Sequence, residues 1–107
     1  MKDTYDLYGA GGLDLYSARC TAESALGVIF EERDSAYQGG VYYRYVGRDS
    51  ENMVLKINVD PFDGEPAEVA FPQYPVLLYV NSTRRSSDLE EAIGRCGVFE
   101  LLRRERL

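Results

Sequence analysis

Two hydrophobic periods alternate along the chain. Residues 4–8, Thr-Tyr-Asp-Leu-Tyr, set apolar and polar side chains on alternate sides, as a half-buried strand does, and Gly9, Gly11 and Gly12 end the run. From Asp14, a good N-cap, Leu15, Ala18, Ala22, Ala25 and Leu26 recur at helical spacing until Gly27, which predicts a helix over 14–26 with a narrow, alanine-rich face. Residues 28–34 turn at once to β-type side chains, with Val28 and Phe30 opposite Ile29 and Glu31. The pair Gly39-Gly40 then marks either a bend in one long strand or a turn between two, before the tyrosine-rich run 41–46. After a hairpin loop over 47–52, Met53, Leu55, Ile57 and Val59 alternate with Val54, Lys56, Asn58 and Asp60, giving a strand with one clean apolar face.

Residues 60–75 have no period and contain all four prolines, so they read as a long surface connection. Val76 to Val80 is continuously apolar, the pattern of a central strand covered on both faces. Asn81 to Ser86 leads into a helix over 87–96. There Ser87-Asp88-Leu89-Glu90 has the spacing of a capping box, Leu89, Ala92, Ile93 and Cys96 form an apolar stripe, and Gly97 supplies a left-handed stop. A last strand starts at Val98 and runs to Arg103. The two halves share an outline of strand, capped helix, glycine stop and strand. Two such units with antiparallel strands between them predict an α+β two-layer sandwich: a mostly antiparallel sheet with both helices on one face, in the order β-α-β-β-β-α-β, ferredoxin-like or elaborated from it.

Composition narrows the function classes. With 107 residues, 45% of them hydrophobic, the chain reads as one globular domain, 1–107, that needs no metal or disulfide framework. The longest apolar run, Tyr74 to Val80, is far below the roughly 18 residues of a membrane span, and no apolar leader core follows Met1-Lys2-Asp3, so a soluble cytoplasmic protein is expected. The absence of histidine removes histidine-assisted nucleophiles, histidine metal sites and imidazole acid–base chemistry. The glycines at 9, 11 and 12 match neither phosphate-loop spacing, and the adjacent pairs Glu31-Glu32 and Glu90-Glu91 diverge too far to act as a carboxylate dyad. Two cysteines, Cys20 and Cys96, are too few for a zinc site; Cys96 reads as a small buried hydrophobe, and a disulfide between the two requires the helices to lie side by side. These features predict no enzyme, no cofactor and no metal.

Charge is uneven. Residues 1–83 carry 13 acids against 6 bases, whereas 84–107 carry 5 against 6. No Lys or Arg falls between Lys56 and Arg84, a gap that holds Asp60, Asp63, Glu65 and Glu68 in a loop lacking the order of a calcium-binding EF-hand. Such a field repels nucleic acid and attracts cationic partners. Nine tyrosines add a second feature: Tyr43 and Tyr45 share one face of a strand and Tyr42 takes the other, either as cross-strand packing or as a contact surface.

The acidic, aromatic segment Asn58-Val-Asp-Pro-Phe-Asp-Gly-Glu-Pro-Ala-Glu-Val-Ala-Phe-Pro-Gln-Tyr74, in a small acidic chain without a catalytic constellation, resembles the immunity proteins of bacterial contact-dependent inhibition and polymorphic toxin systems. The resemblance is one of type. It implies inhibition by binding a cognate basic, nuclease-type toxin, with the inhibitor a monomer or weak homodimer that contacts neither nucleic acid nor membrane. The expected partner surface is Asp60, Asp63, Glu65 and Glu68 for steering and Phe62 and Tyr74 as anchors, with Tyr43 and Tyr45 beside them. The competing expectation is a small-molecule-sensing or regulatory βαβ-type domain, marked by a defined pocket of mixed polar groups.

Overall fold

The computed structural model of the protein, which describes residues 3–106, has the expected order of strands and helices, with six strands and two helices because the chain on either side of Gly39-Gly40 forms two strands and not one. The chain start at Met1-Lys2, read above for leader character, lies outside them. The elements are β1 (Thr4–Ala10), α1 (Leu15–Leu26), β2 (Glu31–Ser35), β3 (Gly40–Val46), β4 (Asn52–Ile57), β5 (Val76–Thr83), α2 (Ser86–Gly94) and β6 (Phe99–Arg106). They form one sheet in the order β2-β3-β4-β5-β1-β6, antiparallel at every pairing. Because β1 is antiparallel to both β5 and β6, those two run parallel with β1 between them. The strands β4-β5-β1-β6 reproduce the ferredoxin-like arrangement, and the β2–β3 hairpin inserted after α1 extends it.

Both helices cover the same face. Ala18, Ala22 and Leu26 of α1 and Leu89 and Ile93 of α2 join Tyr8, Ala10, Met53, Leu55, Val76, Leu78 and Val80 of the sheet in one core. The alanines of α1 let that helix sit close to the sheet, as its narrow face predicts. Asp14 caps α1 by accepting from the Ser17 amide at 2.7 Å, and Gly27 closes it in the left-handed region. On this face Asp6, buried in β1, binds Arg104 of β6 through two hydrogen bonds of 2.8 and 3.1 Å, and Arg104 reaches Glu90 of α2 at 2.9 Å. No helix among the described residues is long and apolar enough to cross a membrane.

Several local expectations are corrected. Gly9 does not end β1; it lies inside the strand, and a Cβ there would stand 2.6 Å from the Tyr74 ring, which packs on the bare backbone. β2 starts at Glu31 rather than Val28, since Val28 and Phe30 turn into the core while Ile29 is left exposed. Of the two readings left open for Gly39-Gly40, the turn between two paired strands is the one found, entered through one 3-10 turn at Ala36–Gln38. β5 continues past Val80 to Thr83: its polar residues are paired across the sheet, Asn81 with Asn52 at 3.0 Å and Thr83 with Glu51 at 3.1 Å. The capping box at Ser87 does not form. α2 starts a residue earlier, its N-cap Arg85 makes no side-chain capping bond, and Glu90, which would close the box, binds Arg104. α2 also ends earlier than expected, at Gly94 with Arg95 as its C-cap in right-handed backbone, so Gly97, although it takes a φ of 68°, is not the stop of the helix.

Candidate functional site

Strand registers place the long connection 58–75 and the 3-10 turn at the same end of the sheet: Ile57 pairs with Val76, Ala10 with Val76 and with Phe99, and Ser35 with Gly40. The connection folds back over the face not covered by helices. Asn58, buried at the end of β4, is its fastening point. Its amide donates to the carbonyls of Phe71 at 3.0 Å and Tyr74 at 2.8 Å, and its side-chain oxygen accepts from the Glu68 amide at 2.9 Å. One side chain thus ties three points of a loop that has no periodic structure, satisfying backbone groups that neither strand nor helix serves.

Glu68 makes the second fastening. Its carboxylate accepts from the Tyr79 hydroxyl at 2.6 Å and from Arg103 at 3.0 Å. Burial by itself would raise the Glu68 carboxyl, but these two donors outweigh it and hold the group below the usual range; the same contact, added to burial, pushes the Tyr79 hydroxyl up. Tyr74 and Leu102 both lie over Gly9, and the Tyr74 hydroxyl donates to Glu100. Beyond these ties the chain makes a tight turn. Asp60 accepts from the Phe62 amide at 2.8 Å, Asp63 from the Glu65 amide at 2.9 Å, and Gly64 takes the positive φ of 74°.

The expected surface residues therefore divide. Phe62, Asp63 and Glu65 stand exposed and Asp60 half-exposed on the turn. Phe62 is 79% exposed and faces Tyr37, 78% exposed on the 3-10 turn, with ring centroids 6.0 Å apart. Glu68 and Tyr74 are instead used inside the protein. Nor are all four acids without a neutralising charge, as the gap in the sequence implied: Arg103 pairs with Glu68, and the charge of buried Lys56 acts on Asp60 and Glu68. Tyr43 and Tyr45 do share a face, but it is the helix-covered one. Tyr43 is 4% exposed, donates to Glu32 at 3.1 Å and lies under the Arg19 guanidinium; Tyr45 packs against the core. Burial, reinforced by Glu32, pushes the Tyr43 hydroxyl up.

The sequence reading gave Asn58, Tyr37, Tyr79 and Arg103 no part in the site. Asn58 is one polar position in an alternating strand, and nothing local marks the loop carbonyls it meets 13 and 16 residues later. Cys20 and Cys96 line one groove between the two helices, both as free thiols, Cys20 exposed and Cys96 half-buried. No known protein family matches the chain, and no curated protein matches it.

Proposed function

We propose that the protein is a non-enzymatic inhibitor that works by binding, an immunity protein that neutralises a cognate basic, nuclease-type toxin by covering its active site in the cytoplasm. The observation that supports this reading is the acidic, aromatic turn: the rings of Phe62 and Tyr37 set against each other at a tilt of 58° in solvent among Asp60, Asp63 and Glu65, on a loop fastened by Asn58. Exposed aromatic rings in contact with each other are unusual in a surface with no partner to cover them, and they are the side chains that dominate interface energies. Carboxylates around them attract a cationic groove at long range and raise the rate of encounter. A fastened loop also loses little freedom when bound.

The test is co-expression of this chain with the product of the adjacent gene. Growth arrest by that product alone, relieved by this chain, supports the reading; no arrest, or no relief, overturns it. With the purified pair, neutralising Asp60, Asp63 and Glu65 together should slow association and flatten its salt dependence, while Phe62→Ala should speed dissociation by about tenfold or more. If both rate constants stay unchanged in folded variants, the partner surface lies elsewhere. A second reading, a small-molecule-sensing domain, draws on an arginine-lined cleft at the other end of the sheet.

A further inference from the structure

The β3–β4 turn, the end of β5 and the step from β5 into α2 enclose a cleft of about 350 Å³ at the end of the sheet opposite the acidic loop. Three arginines line it, Arg48 from the turn and Arg84 and Arg85 from the step, together with Tyr45, Ser82 and the acids Asp49 and Glu51. In a chain of net charge −6 this concentration of guanidinium groups runs against the overall balance.

Two of the arginines are oriented from behind. Arg85 donates through Nε to both carboxylate oxygens of buried Glu51, at 3.0 and 3.2 Å, and Glu51 is itself held by the Thr83 hydroxyl at 3.1 Å. Arg84 donates through Nε to Asp3 at 3.1 Å. Among the described residues the terminal nitrogens of both groups have no hydrogen-bond partner, and Arg48 makes no ion pair. The carboxylates therefore fix the direction of two guanidinium groups and leave their outer forks free, as in sites that grip an oxyanion. The described non-glycine residues with left-handed backbone, Asp49, Ser50 and Ser82, all lie at this corner, where φ is 56°, 72° and 53°. Strain of this kind persists where the surrounding structure holds it.

We infer that the cleft binds the phosphoryl group of a small phosphomonoester. A tetrahedral phosphate offers three terminal oxygens and so accepts from Arg48 on one wall and Arg84 and Arg85 on the other at the same time; a planar carboxylate offers two. The Tyr45 ring supplies an apolar wall for the organic part, and the volume lies at the lower end of small-molecule sites, roughly 300–1,000 Å³. The carboxylates of Asp49 and Glu51 in the lining and of Asp3, bonded to Arg84, balance the three guanidinium charges, so the grip rests on the directed donors of the free forks and binding is of moderate strength.

The experiment is amide NMR titration of the full chain with phenyl phosphate and inorganic phosphate at constant ionic strength. Saturable shifts are expected at residues 45–51 and 82–86, with phenyl phosphate the tighter ligand. Arg48→Gln should weaken phenyl phosphate about tenfold, or about 1.4 kcal/mol, without changing thermal unfolding, because among the described residues the Arg48 side chain makes no ion pair. Arg95→Gln, on the far end of α2, and Asp63→Asn, on the acidic loop, should leave the affinity unchanged. The inference fails if no saturation appears up to about 20 mM, if Arg48→Gln binds as the parent does, or if inorganic phosphate matches phenyl phosphate. None of these outcomes depends on the toxin-binding reading.

Discussion

Replacing Asn58 by aspartate keeps the shape of the side chain and reverses half of its chemistry. The oxygen that accepts from the Glu68 amide survives, while the donations to the Phe71 and Tyr74 carbonyls are lost and oxygen faces oxygen at both positions. Each lost bond is worth about 0.5–1.5 kcal/mol net, and leaving acceptors unpaired at a residue only 7% exposed adds a desolvation cost, so Asn58→Asp should destabilise the fold by about 2–4 kcal/mol at pH 7. For a domain with a total stability of about 5–15 kcal/mol that is a large share. It corresponds to a fall of very roughly 8–16 °C in the unfolding midpoint. Urea unfolding followed by circular dichroism measures the loss, and hydrogen exchange of amides 60–74 shows where it falls: the loop should exchange faster while β1 and β5 stay protected. A variant within about 0.5 kcal/mol of the parent at pH 7, with the loop as protected as before, would show that the loop is held by something other than this side chain.

Glu68→Gln should cost about 1–2 kcal/mol at pH 7, because the bonds from Tyr79 and Arg103 lose their charge assistance. The Glu68 carboxyl is held down in the folded state, so its contribution is present above the unfolded value of about 4.3 and fades as the pH falls through the folded one; parent and variant should converge in acid, and an equal gap at pH 7 and in acid would refute the assignment. Among the described residues the Tyr8 hydroxyl is buried without a hydrogen bond of good geometry, although Arg104 lies near it, and burial with nearby Asp6 raises it to about 12. Tyr8→Phe should therefore leave stability unchanged or raise it by up to about 1 kcal/mol in thermal unfolding, whereas a clear loss would reveal a bond at that hydroxyl. Ile93, 1% exposed between α2 and the sheet, should cost about 2–5 kcal/mol as alanine in chemical denaturation; under 1 kcal/mol would place α2 outside the core.

What the sequence determined by itself is what local periodicity reports. Alternation at 53–57, the apolar run at 76–80 and the stripe through Leu89 and Ile93 each mark a face that must leave water, and each is buried on that face in the fold. Asp14 and Gly27 were legible as the ends of α1 because capping acts within a few residues. The α+β class followed from the order of those faces.

Tertiary structure decided everything that depends on which distant residues meet. Gly9 reads as a breaker until Tyr74, sixty-five positions later, lies over it, and Ser87 reads as a cap until Arg104 takes Glu90. Tyr43 and Tyr45 share a face in any register, but only strand order reveals that α1 covers it. The same holds for the site: acids and aromatics between 60 and 74 were visible, yet the bonds of Asn58 and the approach of Tyr37 to Phe62 arise from pairings that close long loops. The arginine cleft is the clearest case. Arg48 and the pair Arg84-Arg85 come together because β4 and β5 are neighbours, and the energy that selects neighbours is side-chain packing across the whole sheet, a quantity no short window of sequence contains.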